Sequence, residues 1–331
     1  MKKFKVAPRL IPLFSTASVL LALYALGCLN YRNFGSANVL VNLLGDNAFL
    51  GVAAVGATIV ILSGGIDLSV GAVVAFSSTL IASMVERHGV PPIAAIILAL
   101  ALGAGFGACM GVLIQKWKLP PFLVTLAGMF FARSVGFMIE PQSLSLKNPF
   151  YTQTLAQDLS IPLGPRLSLP FVAICAIVLF VFAHWLLSST KFGRAVYAIG
   201  GDEESARMMG LNVARTKIGI YTLSGFCSAF AGVLYSIYTG SGDPAAGVGF
   251  ELDAIAAVVI GGTLLTGGVG YVGGTAMGVL ILGLIQTLIT FQGDLNSWWT
   301  RIAVGALVLI FLLLQRVLSS FSRPSLKLKT S

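Results

Sequence analysis

The chain has 331 residues, 56% of them hydrophobic and only 10% charged, where an ordinary globular domain carries about 25% charged residues. Mean hydropathy is +0.92. Too few charges exist to clothe a soluble surface, so lipid must surround most of the chain, and disorder, coiled coil, collagen and a secreted disulfide scaffold are excluded.

In chain order, Lys2, Lys3, Lys5 and Arg9 precede a first apolar run. That run has no clean A-x-A cleavage site, so it reads as a retained span rather than a signal peptide. About 20 apolar residues cross ~30 Å of hydrocarbon as a helix. This ruler predicts about ten transmembrane helices, near 10–29, 46–63, 69–86, 92–115, 120–139, 168–187, 216–238, 251–266, 270–291 and 298–315. The segments 46–63 and 251–266 are short and glycine-bounded, as broken or re-entrant helices are. The expected fold is an all-α polytopic membrane protein, one transmembrane domain over 1–331. It carries an outside loop at 140–167, an inside loop at 188–215 and a short tail at 316–331.

The net charge of +9 implies no nucleic-acid partner, because basic residues follow membrane topology. With the N-terminus inside, fifteen of the 21 Lys and Arg fall in cytoplasmic segments and five outside, with Arg133 within a span. That asymmetry predicts that both termini are cytoplasmic.

An internal repeat aligns 63–71 (SGGIDLSVG) with 266–274 (TGGVGYVGG), at an offset of 203 residues. Matched glycine-interrupted segments in two halves of a chain are a transporter signature. Gly103, Gly107 and Gly111 recur every fourth residue, as do Gly274 and Gly278. Such faces let helices approach closely, either as static packing or as a moving contact.

Several chemistries are missing. No glycine is followed by lysine, so no phosphate-binding loop exists. The nucleophile elbow G-x-S-x-G, the zinc motif H-E-x-x-H and C-x-x-C are absent too. Cys28, Cys109, Cys175 and Cys227 lie in apolar stretches without metal-ligand spacing, and His88 and His184 stand alone near span ends. No catalytic residue, cofactor or metal is expected.

Polar residues at breaks are the pathway or gating candidates: Gly64, Gly65, Asp67, Ser69, Glu251 and Asp253. A charge at the bilayer centre costs at least ~2.5–3.5 kcal/mol, so Asp67 must face water, a partner or a helix N-terminus. It either caps the following helix, accepting from the N–H groups of Ser69 and Val70, or stands on a polar path. Asp46, Glu251 and Asp253 suit helix N-termini. In the inside loop, Gly200 and Gly201 should stop the preceding segment. Asp202, Glu203 and Glu204 open a two-turn helix, Arg207 sits near its end and Gly210 closes it. Such a helix is too short to be stable alone. Ala206, Arg207, Met208 and Met209 complete a docking element for a soluble partner, with Ala206 and Met209 sharing a face.

Three motifs, Ile66-Asp67-Leu68-Ser69-Val70-Gly71, the loop Phe192-Gly193-Arg194 to Val213, and Glu251 to Thr263, resemble the ribose/galactose-type sugar permeases of ATP-binding-cassette (ABC) importers. Asp46 to Gly51, Thr125 to Phe131 and Ser297-Trp298-Trp299-Thr300 are similar to the permeases of galactofuranose importers. The resemblance implies a multi-pass inner-membrane permease working as a dimer, with a second, different permease chain in the galactofuranose branch. It also implies a cytoplasmic ABC ATPase, which binds ATP and Mg²⁺, and a periplasmic sugar-binding protein. Residues 202–210 match the position of the family's coupling helix. The competing transporter reading is an ion-coupled secondary carrier. It would want a buried relay of ionisable residues, whereas only Arg133 lies clearly within an expected span.

Overall fold

The computed structural model describes residues 11–164, 167–293 and 297–322. The expected basic cluster before the first span, Arg166, and the tail beyond residue 322 lie outside the described residues. Thirteen α-helices are described: α1 (Ile11–Asn30), α2 (Ala37–Asp46), α3 (Ala48–Leu62), α4 (Val70–Glu86), α5 (Pro92–Lys116), α6 (Pro121–Ile139), α7 (Phe171–Ser189), α8 (Lys191–Gly201), α9 (Glu203–Met208), α10 (Val213–Thr239), α11 (Phe250–Ile260), α12 (Val272–Gln292) and α13 (Ser297–Ser322). Residues 316–322, expected in the tail, continue α13 instead.

Helix α10 is the axis of the bundle and packs against α3, α4 and α5. Its sequence makes this possible. A side chain on Gly107 would overlap the Tyr221 carbonyl, and one on Gly225 would overlap the Gly103 carbonyl. The glycine stripe of α5 is therefore a backbone-to-backbone seam with α10. Gly274 and Gly278 make the same kind of seam with Gly261 and Ala257 of α11. In lipid, where burying apolar surface gains little, such close approach supplies the packing attraction.

Among the described residues, six helices are long and apolar enough to cross a membrane, or seven if α2 and α3, bent by 52°, form one span. Hydropathy alone suggested ten. Part of the difference is helix length. The span expected at 46–63 begins nine residues earlier, at Ala37, and is broken at Asp46–Asn47. The one expected at 251–266 is α11, whose 11 residues rise only about 16 Å, half a hydrocarbon core. Helix α4 has 17 residues.

The breaks after α3 and α11 meet. Gly64 and Gly267, paired by the 203-residue offset, both adopt the left-handed backbone, with φ of +79° and +86°, which residues with a Cβ rarely enter. Gly268 N–H donates to the Leu62 carbonyl at 2.9 Å.

The 140–167 loop is more structured than expected. Strand β1 (Leu144–Ser145) pairs antiparallel with β4 (Ser241–Gly242), and β2 (Ile161–Gly164) pairs with β3 (Leu167–Leu169). A π-helical segment, Phe150–Asp158, lies between β1 and β2. Glu86 accepts from the backbone N–H groups of Lys147 and Asn148 at 2.7 and 3.0 Å. Arg87 pairs with Glu140 at 3.0 Å. Loops 87–91, 140–149 and 240–249 thus share one end of the bundle, while the α3/α4 and α11/α12 breaks meet at the other.

Candidate coupling element and pathway

Helices α8 and α9 cover the end of the bundle where the two breaks meet. Each helix of this segment, and α10 after it, opens on a side-chain cap, which satisfies N–H groups that a helix start leaves orphaned. Thr190 accepts from Gly193 N–H at 3.1 Å to open α8. Asp202 accepts from Ser205 N–H at 2.6 Å to open α9, and this hydrogen bonding from Ser205 holds its carboxyl below the ordinary aspartate range. Asn212 accepts from Arg215 N–H at 3.0 Å to open α10. Glu203 reaches Arg207 at 3.2 Å and Lys217 of α10 at 2.5 Å. Gly210 ends the element with a φ of +81°. Glu204, at the second position of α9, is exposed.

The face expected to unite Ala206 with Met209 is split. Ala206 is fully buried, beneath α9 with Ile199 and Val213, so it anchors the helix and cannot touch a soluble partner. Met208 and Met209 are 79% and 69% exposed. Two flexible apolar side chains on a charged tip suit an adaptable contact.

A second finding concerns Gly200 and Gly201. They do end the preceding segment, since the chain turns extended at Asp202, but from inside a helix rather than as a loop. They form the last turn of α8, a helix the sequence reading missed. A Cβ on Gly200 would overlap the Leu62 carbonyl oxygen and lie 2.6 Å from Gly268 N. Tyr197 donates its hydroxyl to the Gly270 carbonyl at 2.8 Å. Helix α8 therefore touches both breaks through bare backbone, and α9 hangs from its end. The signal available in the sequence was the G-G pair itself, which marks close approach as well as helix ends.

Asp67 sits in the first break, buried, with all its bonds accounted for. One carboxylate oxygen accepts from Ser69 N–H at 2.9 Å and from the Ser69 hydroxyl at 2.7 Å. The other accepts from the Ser224 hydroxyl of α10 at 2.7 Å. The expected bond from Val70 is not among these. Asp67 therefore does not cap α4, whose cap position is Ser69 and whose first-turn N–H groups meet no side-chain cap; its carboxylate fixes the break itself and ties it to α10. Gly65 lies against α10 as well, since a Cβ there would stand 2.6 Å from the Tyr221 hydroxyl oxygen.

Glu251 and Asp253 both lie in the first turn of α11, as expected. Glu251 faces Gly71 at the start of α4, where a Cβ would come within 2.5 Å of its Oε2. Asp46 departs from expectation: it ends α2 rather than starting a helix, and it accepts from the Tyr238 hydroxyl at 3.0 Å. Arg133 is no relay. Its guanidinium donates to the carbonyls of Pro244, Ala246 and Gly247, clamping the loop before α11. Among the described residues, no group of three or more His, Cys, Asp or Glu could hold a metal ion.

Residues 39–312 match the permease component of the branched-chain amino acid transport system family. The chain belongs to this family. The permease is 49% identical over 311 residues to the inner membrane ABC transporter permease protein YjfF of Escherichia coli K12, covering 94% of this chain and 93% of that one. It is 42% identical to the ribose import permease RbsC of Bacillus subtilis, covering 84% of each chain. Against the fructose import permease FruG of Bifidobacterium longum the identity is 37%, over 95% and 93% of the two chains. No solved structure matches it. The permease is thus a multi-pass inner-membrane protein, a non-catalytic component of an ABC importer in which the partner ATPase hydrolyses ATP.

Proposed function

We propose that this permease is the membrane-spanning subunit of an ATP-driven importer of a monosaccharide. One observation carries the mechanism: the exposed tip of α9 is joined by α8 to both backbone breaks, at Leu62 and at Gly268. A cytoplasmic ATPase that grips Met208 and Met209 would pull on α8. Because Gly200 brings bare backbone against both breaks, such a displacement would bear on both. The ribose and fructose import named for the relatives above supports a sugar as cargo. The motifs at Asp46–Gly51, Thr125–Phe131 and Ser297–Thr300 favour galactofuranose within that class. A sugar-binding protein would dock on the end bearing the 140–167 loop, and a second permease chain would complete the path.

The test is uptake into proteoliposomes holding the permease with its ATPase, loaded with ATP and given binding protein outside. Uptake of labelled galactofuranose, ribose or fructose that requires all three components is the expected result. Sugar uptake driven by an ion gradient without ATP would establish the carrier reading instead.

A further inference from the structure

A cleft of about 480 Å³ opens at the end of the bundle away from α8 and α9, between the α2–α3 elbow, the last turn of α10, the start of α11 and the end of α12. Its size is that of a small-molecule site. Its walls are wrong for lipid. On α2, Asn42 and Asp46 line it, four residues apart and both exposed. On α12, Gln286 and Thr290 repeat that spacing and are exposed too. Amides and a carboxylate facing hydrocarbon would each lack hydrogen-bond partners at a cost of several kcal/mol, so this face must be wet.

We infer that the cleft is a sugar-contact site of the permease, an inference that rests on the function proposed above. Three features select a neutral, polyhydroxylated ligand. Asn42, Gln286 and Thr290 offer both donors and acceptors, as hydroxyl groups require. Phe49 stacks on Phe250, with centroids 5.6 Å apart and planes at 17°, and packs 5.8 Å from the Tyr238 ring, giving an apolar wall for the C–H face of a sugar ring. No Lys, Arg or His is among the described residues lining it, so an anionic solute would find no counter-charge. Only two carboxylates line it, Asp253 and Asp46, the latter already accepting from the Tyr238 hydroxyl, and among the described residues no group of three or more His, Cys, Asp or Glu could hold a metal ion.

The test uses the complete importer with ¹⁴C-labelled D-ribose, D-fructose and D-galactofuranose. In the Asn42→Leu/Gln286→Leu variant, sugar uptake per ATP hydrolysed should fall at least about tenfold through lost hydrogen bonds. Membrane abundance and the ATPase response to loaded binding protein should persist. Independently, Asn42→Cys and Gln286→Cys in a background whose native cysteines are alanine should react with a membrane-impermeant maleimide, and sugar transport should slow the reaction. Unchanged uptake per ATP overturns the site, as does failure of both cysteines to react, which would mean that lipid or a second chain covers the face. Failure of the wild-type importer to move any neutral sugar overturns the proposed function itself, a result distinguishable from failure of the variants alone.

Discussion

The Ser224 hydroxyl of α10 donates a 2.7 Å hydrogen bond to Asp67 in the break before α4, tying an otherwise irregular segment to the central helix. The break has no ladder of its own, so this bond and the two from Ser69 fix its backbone. Asp67→Asn preserves an acceptor for Ser69 and lets the new amide donate to the Ser224 oxygen, because a hydroxyl can accept as well as donate. Its effect on the melting temperature in detergent should be small. Asp67→Leu leaves buried groups unpaired, at about 1–3 kcal/mol each, and should sharply lower the yield of folded protein. If Asp67→Asn keeps a normal yield but abolishes uptake, the charge itself serves transport.

Gly200 and Gly201 make a controlled pair. They are neighbours in one helical turn, but a Cβ on Gly201 meets nothing within 4 Å, whereas one on Gly200 meets backbone of both breaks. Gly201→Ala should be neutral, or stabilising by up to about 1 kcal/mol through helix propensity. Gly200→Ala must push α8 away from Leu62 and Gly268. It should cut sugar uptake severely while ATPase subunits still copurify. Equal activity of the two variants would remove the α8 junction from the coupling path.

How much of this was legible in the sequence depends on the range of the interaction. The two-turn α9, its Asp202 cap and its Gly210 terminus follow from residues within one turn of each other, and the sequence shows them. The internal offset paired Gly64 with Gly267, whose backbones share a left-handed turn. What could not be read was which way a side chain faces once the chain is packed. Ala206 and Met209 are three apart and should share a face, but Ala206 falls under the helix and Met209 outside it, because Ile199 and Val213 close beneath Ala206. The bond of Asp67 to Ser69 is local and was legible, but its partner Ser224 and the partners of Arg133 lie 157 and more than 110 residues away, beyond any local pattern. The shortness of 251–266 was legible from its bounding glycines, but hydropathy, which counts apolar residues, does not show that α11 stops at Ile260.

The docking tip gives a third prediction. Met208→Ala/Met209→Ala removes the most exposed apolar side chains of α9 without touching its buried anchor. Arg207→Glu breaks an exposed pair with Glu203, which is worth only about 0.3–0.5 kcal/mol, and puts a negative charge at the helix end that favours a positive one. The triple variant should reach normal abundance and fail to pull down the ATPase. Ala206→Glu, by contrast, forces a charge into the Ile199–Val213 contact and should reduce abundance itself. A triple variant that still assembles, and whose ATPase still responds to loaded binding protein, would move the interface to Lys116–Lys118.

Orientation is the remaining prediction. The distribution of basic residues between the two ends decides it. The loops that share an end through the Arg87–Glu140 pair and the β1–β4 pairing carry few basic residues: Arg87 and Lys147, with none in 240–249. The opposite end gathers Lys116, Lys118, Lys191, Arg194, Arg207, Arg215 and Lys217. Positive residues stay cytoplasmic in short loops, so α8 and α9 should face the cytoplasm and the 140–167 loop the periplasm. Fusions that report folding on one side of the membrane, placed at 160, 210 and Ser331, separate the possibilities. Alkaline phosphatase should be active only at 160, and a fluorescent protein that matures only in the cytoplasm should be bright at 210 and 331. The site at 210 is the stringent one, since it directly follows the proposed docking tip. Phosphatase activity there would put Met208 and Met209 on the side without ATP, and the coupling mechanism would fail with it.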